Sequence, residues 1–115
     1  MIIVTPFQQR VYDAVRCVPC GRVATYAELG RAIGCRSPRA VGQALRRNPF
    51  APEVPCHRII ASDLTIGGFC GERQGPEIKR KLTLLAAEGV PFDSDGRLCE
   101  PDRLFIFEAF RERQS

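Results

Sequence analysis

The segment TYAELGRAIGCRSPRAVGQALRR, Thr25 to Arg47, carries two helix-start signals and one sharp stop. Thr25 precedes Tyr26 and has Glu28 three residues on, the order of a capping box, and Ser37-Pro38 repeats the signal with proline at the first helical position. Leu29 and Ile33 fall on one inward face before Gly34 ends that helix. In the helix that follows, Ala40, Val41, Ala44 and Leu45 form an apolar stripe, while Arg39, Gln43, Arg46 and Arg47 share another face. Two short helices joined by a tight turn, the second presenting a basic face, predict a helix-turn-helix.

Upstream, Thr5-Pro6 reads as a cap and first turn, and Phe7, Val11, Ala14, Val15 and Val18 recur at helical spacing as far as Pro19. Downstream lie an apolar run around Cys56, a glycine-rich loop at Gly67-Gly68-Phe69-Cys70-Gly71, and a helix over Pro76–Glu88 with Ile78, Leu82, Leu85 and Ala86 inward and Gly89 closing it. In the tail, Phe92, an Asp95-Gly96 turn and Leu104 to Phe107 fit a hairpin or strand pair, or a short helix after Arg103. The fold class is mainly α: a winged helix-turn-helix-like single domain, residues 1–115, with a small β wing or hairpin.

With 115 residues, 44% of them apolar, the chain has enough material for one core and no more. No apolar run is long enough to span a bilayer, and Met1 to Val4 meets Thr5-Pro6 too soon for a signal-peptide core. The chain is therefore expected in the cytoplasm, or in the nucleus of a eukaryote, and not to be secreted or attached to a membrane. Six cysteines in that setting read as reduced thiols. The net charge of +4 is unevenly placed: Gly30 to Pro52 holds Arg31, Arg36, Arg39, Arg46 and Arg47 and no acid. That concentration is the footprint of a surface facing a polyanion.

The sole histidine adjoins a cysteine in Val54-Pro55-Cys56-His57-Arg58-Ile59-Ile60. An imidazole beside a thiol can take its proton, and Pro55 stiffens the backbone that delivers it. Read as an extended run, this stretch sends Cys56 and His57 to opposite faces, so a bridging water would connect them. A buried structural cysteine beside a surface histidine is the competing reading.

The order Arg39-Ala-Val-Gly-Gln-Ala-Leu-Arg-Arg-Asn48-Pro49 followed by Pro55-Cys56-His57-Arg58 resembles the C-terminal domain of the O6-alkylguanine-DNA alkyltransferases. Gly21 to Tyr26 and Leu84 to Gly89 extend the likeness to roughly residues 7 to 92. The resemblance implies DNA repair on double-stranded DNA containing alkylated guanine, with Cys56 the alkyl acceptor, His57 its base through a water and Glu88 the carboxylate orienting His57. It also implies that Arg39 fills the stack an extruded base leaves, that Gln43, Arg46 and Arg47 contact DNA, and that Tyr26 binds a phosphate and gives the departing guanine a proton. Asn48 would brace the helix-turn-helix against the active-site strand. Ile59, Ile66, Phe69 and Cys70 would line the pocket, with main-chain carbonyls of Cys56 and Ile59 facing the guanine amino group. No cofactor or metal is expected, and the protein is expected to act as a monomer.

Two departures from the family pattern bear on this. The chain starts at the DNA-binding domain, so the family's N-terminal domain is expected to be absent. The loop usually written Gly-x-Tyr-x-Gly-Gly reads Gly67-Gly68-Phe69-Cys70-Gly71-Glu72, with extra residues Arg73 to Pro76. The runner-up function is a non-catalytic alkyltransferase-like protein that flags lesions to excision-repair proteins; such proteins replace the acceptor cysteine, which is retained here. A winged-helix regulator would leave Cys56, His57 and Glu88 idle, and a papain-like hydrolase separates its cysteine and histidine in sequence. Cys17 and Cys20 lack the two further ligands zinc needs and read as small apolar residues at a helix end.

Overall fold

The computed structural model describes residues 3–50, 53–68 and 75–107. The first helix, α1, spans Pro6–Arg16. Thr5 caps it reciprocally: its hydroxyl accepts from the Gln8 amide at 3.0 Å, and the Gln8 side chain accepts from the Thr5 amide at 2.9 Å. Val11, Ala14, Val15 and Val18 are fully buried as their spacing requires, and Tyr12 joins them by donating its hydroxyl to the Ala44 carbonyl at 2.7 Å. Burial and the nearby Cys56 charge push the Tyr12 phenol's pKa up, and Arg47 only partly offsets this.

Helices α2, Tyr26–Ile33, and α3, Pro38–Arg46, form the helix-turn-helix. The hydroxyls of Thr25 and Ser37 accept from the amides of Glu28 and Ala40, both at 3.1 Å, and Gly34 leaves α2 in the left-handed conformation. The Glu28 carboxylate pairs with Arg31 instead of returning to the cap, so one of the segment's five arginines is spent within its own helix. Val41, Ala44 and Leu45 turn inward against α1 and α2. Gly30 makes the tight turn possible, because a Cβ there would lie 2.7 Å from the Cys35 carbonyl oxygen.

Strand β1, Ala24–Thr25, pairs in parallel with β2, Ile59–Ile60, at Ala24↔Ile59 and Thr25↔Ile60. This short pair joins the three-helix core to a second cluster of Val23, Ile60, Leu85, Val90 and Leu98. Helix α4, Pro76–Ala87, covers it. The inward face of α4 differs from the expected one. Ile78 and Leu85 are buried, but Leu82 is half-buried and Ala86 exposed, and the fully buried Lys81 takes the intervening place. Cys17 and Cys20 stand at the end of α1, as read. Both are exposed, because Val18 between them fills the inward position and leaves Cys17 as the cap of α1.

The tail closes on itself and then on the core. Gly96 donates to the Asp93 carbonyl at 2.9 Å in the Asp95-Gly96 turn, and Phe92 faces Leu98 across one antiparallel bridge. A 3-10 turn at Pro101–Arg103 then delivers Leu104 into a parallel bridge with Val23, where Phe105 donates to the Val23 carbonyl at 2.7 Å. Phe107 ends this path fully buried, with its ring edge-on to Phe105.

Gly30→Ala tests the turn. Alanine gains up to about 1 kcal/mol in helix propensity, whereas overpacking against fixed backbone costs about 1–3 kcal/mol. A net loss of stability is expected in urea unfolding; a midpoint at or above that of the parent would mean the turn relaxes freely.

Candidate active site and DNA-facing helix

The thiol-bearing segment is not extended. Pro55, at φ −81° and ψ 69°, is the centre of an inverse γ-turn closed by the Cys56 amide donating to the Val54 carbonyl at 2.8 Å. Cys56–Arg58 then forms a 3-10 turn, with the Arg58 amide donating to the Pro55 carbonyl at 2.9 Å. The extended reading failed because proline's fixed φ suits this compact turn as well as a strand, and the two closing hydrogen bonds select the turn. Cys56 is half-buried and His57 only 5% exposed.

His57 Nε2 lies 2.9 Å from Glu88 Oε2. A neutral imidazole that donates from Nε2 presents its lone pair at Nδ1, so the carboxylate selects the tautomer in which Nδ1 can accept a proton. Arg58 grips the same carboxylate with both arms: Nε reaches Oε1 and Nη2 reaches Oε2, each at 2.9 Å, while Nη1 donates to the Val18 carbonyl at 2.9 Å. Burial alone would push the Glu88 carboxyl's pKa up. The hydrogen bonds and charges of Arg58 and His57 outweigh it and hold the group below its ordinary 4.5. The Glu88 hydrogen bond leads in raising the Arg58 pKa above its ordinary value.

Tyr26 stands at the first position of α2, half-buried, with its hydroxyl 3.4 Å from the Gly68 carbonyl. Burial first, and the charge of Cys56 second, raise its pKa, so the phenol keeps its proton beside the thiol. Asn48, just beyond α3, donates from Nδ2 to the Val54 carbonyl at 2.9 Å and accepts from the Phe50 amide at 2.8 Å. The Val54 oxygen thus holds both Asn48 and the Cys56 amide. Arg39, Gln43, Arg46 and Arg47 are all exposed on or just after α3.

Ile59 is fully buried in β2 and Ile66 half-buried in the following loop. Phe69 and Cys70 lie outside the described residues. The carbonyls of Cys56 and Ile59 already have partners, the Ile59 amide and the Lys81 ammonium respectively. Among the described residues no group of three or more potential ligands could hold a metal, and no helix is long and apolar enough to cross a membrane.

Sequence reasoning passed over Arg58 and Lys81. Arg58 stood within the quoted Cys-His run, where its charge next to a buried histidine called for an acid. Lys81 is three residues after Ile78 and four before Leu85, a cation on the apolar stripe of α4. Its Nζ donates to the carbonyls of Ile59, Ile66 and Gly68 at 2.7, 2.7 and 3.0 Å.

The chain is similar to proteins of one known family. Residues 6–90 match the family model described as 6-O-methylguanine DNA methyltransferase, DNA binding domain. A DNA base-flipping protein of Thermus thermophilus is 48% identical over 86 residues, 75% of this chain and 54% of its own length. A methylated-DNA–protein-cysteine methyltransferase of Methanothermobacter thermautotrophicus is 43% identical over 89 residues, 77% of this chain and 47% of its own. The chain thus spans about half the length of these curated relatives. Among solved structures, S. pombe Atl1 in complex with damaged DNA containing O6-carboxymethylguanine superposes with a TM-score of 0.72 at 34% identity, over 90% of this chain and 98% of that one. Mycobacterium tuberculosis OGT in complex with DNA gives 0.67 at 39% identity, over 76% and 52%. The chain belongs to the family of the 6-O-methylguanine DNA methyltransferase DNA-binding domain.

Proposed function

We propose that this chain extrudes an O6-alkylguanine from double-stranded DNA and transfers the alkyl group, chiefly methyl, irreversibly to its own Cys56, once per molecule. The carrying observation is the line of contacts from the exposed basic helix through Asn48 to the Val54 carbonyl and the Cys56 turn, with His57 held by Glu88 and Arg58 behind it. We take residues 1–115 as one unit of alkyltransferase C-terminal type, acting as a monomer without cofactor or metal.

In this reading α3 lies in the major groove and Arg39 enters the gap left by the extruded nucleotide. His57 Nδ1, through a water, takes the Cys56 proton, and Glu88 stabilises the resulting imidazolium. The thiolate attacks the alkyl carbon. A sulfur–carbon bond forms as the carbon–O6 bond breaks, and the electron pair released onto guanine is protonated by the Tyr26 phenol. The thioether has no route back to the thiol, so the protein is consumed.

Lesion recognition without transfer is the second reading, favoured by the likeness to S. pombe Atl1 over 98% of that chain. After incubation with duplex O6-methylguanine DNA, intact-protein mass spectrometry is expected to show one added methyl group, mapped to Cys56, and Cys56→Ser should bind the lesion without removing it. Lesion-selective binding with no mass change over hours would overturn transfer and favour a sensor working with excision-repair proteins.

Arg39→Ala is expected to slow repair of duplex DNA at least tenfold more than reaction with the free base, since only the duplex needs its gap filled. Arg46→Ala and Arg47→Ala should weaken binding evenly across sequences and flatten its salt dependence. Equal losses on duplex and free base would remove Arg39 from the finger role.

Because folding lowers the Glu88 pKa, its contribution to stability is fully present above about pH 4.5 and is lost as pH falls through the lower folded value. Glu88→Gln is expected to cost about 3 kcal/mol near neutral pH, the low end for removing one partner of a largely buried pair. Its stability should also fall less steeply in acid than that of the parent. Urea unfolding across pH 3 to 7 checks both, and parallel pH profiles would show that Glu88 does not carry the acid limb.

A further inference from the structure

Cys17 and Cys20 have the spacing of a dithiol, and the proposed transfer uses neither of them. Both are free thiols on exposed residues, so a solute reaches them without unfolding the chain. The chain between them is held at two points. The Val18 side chain is fully buried in the three-helix core, and the Val18 carbonyl accepts from Arg58 Nη1 at 2.9 Å. Directly after them, Gly21 is folded against the site. A Cβ there would lie 3.5 Å from the Glu88 carbonyl oxygen and 3.6 Å from Arg103 Nη1, and that same nitrogen donates to the Gly21 carbonyl at 3.3 Å.

The two thiols stand differently. Cys17 caps α1, and its Sγ donates to the Asp13 carbonyl at 3.5 Å. Cys20 lies within electrostatic reach of Arg58: the Glu88 hydrogen bond chiefly raises the Arg58 pKa, and the charge of Cys20 adds the smallest push in the same direction. A thiolate beside a cation is the form that attacks a disulfide. A bridge between the two cysteines needs their Cα atoms about 4.4–6.8 Å apart. Residues three apart meet that distance as the ends of a β-turn, whose middle peptide here is Val18-Pro19. Proline at the third position disfavours the common type I turn, so this peptide is the part that must give, and its oxygen is the one Arg58 holds.

We propose that Cys17 and Cys20 are a dithiol modification site for small-molecule disulfides, and that closing it draws the Val18 carbonyl off Arg58 and slows the chemistry of Cys56. The Cys20 thiolate attacks one sulfur of the reagent, forming a mixed disulfide and releasing one reagent thiolate. The Cys17 thiolate then attacks the Cys20 sulfur; the Cys17–Cys20 bond forms, the mixed bond breaks and the second reagent thiolate leaves. The cysteines lose two electrons, the reagent gains them, and the two cysteine protons end on the released thiols. Arg58 keeps its grip on Glu88 but loses its anchor at the end of α1, and His57 loses the fixed orientation that this carboxylate gave it. The link to alkyl transfer rests on reading Cys56 as the acceptor, whereas the dithiol chemistry does not.

The experiment equilibrates the parent and a variant carrying both Cys17→Ser and Cys20→Ser in mixtures of reduced and oxidised glutathione. Peptide mass spectrometry locates each disulfide and follows the rate of Cys56 alkylation by iodoacetamide; methyl transfer from duplex O6-methylguanine and affinity for undamaged duplex are measured beside it. The oxidised parent is expected to lose two hydrogens to a Cys17–Cys20 bond and to show both Cys56 rates at least about fivefold slower, with undamaged-duplex affinity within about twofold and full recovery in dithiothreitol. The double variant should keep both rates within about twofold in every mixture.

Glutathione adducts with no Cys17–Cys20 bond in any mixture would overturn the proposal. So would a bridge that forms while Cys56 reacts with iodoacetamide as fast as before. Equal slowing in the double variant would also overturn it, by placing the oxidation on Cys56 itself. If the bridge slows the iodoacetamide reaction but the reduced parent never becomes methylated, the dithiol site stands and the transfer reading fails.

Discussion

The Glu88 carboxylate is the interaction on which the site depends. It stands at the C-terminal end of α4, where the helix dipole disfavours an anion by roughly 0.3–1 kcal/mol, and with its side chain 16% exposed it has little water to compensate. It is tenable there because Arg58 covers both oxygens and His57 shares one of them. The same contacts tie α4 to the Cys56 turn and, through Val18, to the end of α1. One buried carboxylate therefore joins three elements and at the same time selects the histidine tautomer. Removing it would release an arginine and a histidine from their shared partner, which is why the structural and chemical roles of Glu88 cannot be separated by deletion alone.

A second junction works through neutral groups. The Val54 carbonyl receives Asn48 from beyond the basic helix and Cys56 from the inverse γ-turn, so both of its lone pairs are engaged. Any displacement of α3 relative to the core is transmitted to the backbone amide of the thiol residue through one oxygen atom. The parallel pairing of β1 with β2 does the equivalent on the other side: Thr25 caps α2 and also faces Ile60. The helix-turn-helix and the thiol turn are thus built on shared residues, and in the proposed reaction a base extruded beside α3 meets a thiol whose position is referred to that same helix.

Much of this was legible in the sequence because it is local. Caps at Thr5, Thr25 and Ser37 and the left-handed Gly34 depend on neighbours within one or two turns and appear where their signals stand, whereas the stripe of α4 does not, because Lys81 takes an inward place. The proline before Cys56 was read correctly as a rigid element but assigned to the wrong shape, since its φ serves a strand and a γ-turn equally. Cys17 and Cys20, read as small apolar residues at a helix end, are exposed there because the helical phase gives the inward position to Val18. The cations were hardest to read. Arg58 needs a partner 30 residues away, and Lys81 needs carbonyls brought together by a strand and a loop. A charged residue on an apolar stripe is usually a boundary of the stripe, so only the fold reveals that this one is inside.

The two buried cations also give the site a consistent electrostatic sense. Arg58 is balanced by Glu88, so the pair adds little net charge where His57 must be able to gain a proton. Lys81 is held by the carbonyls of Ile59, Ile66 and Gly68. In the proposed transfer the negative charge begins on the Cys56 sulfur and ends on the purine, while the thioether left behind is neutral. Groups fixed by the fold, as the Glu88 carboxylate is by Arg58, need not reorganise as that charge moves, which is the condition under which fixed electrostatics lowers a barrier.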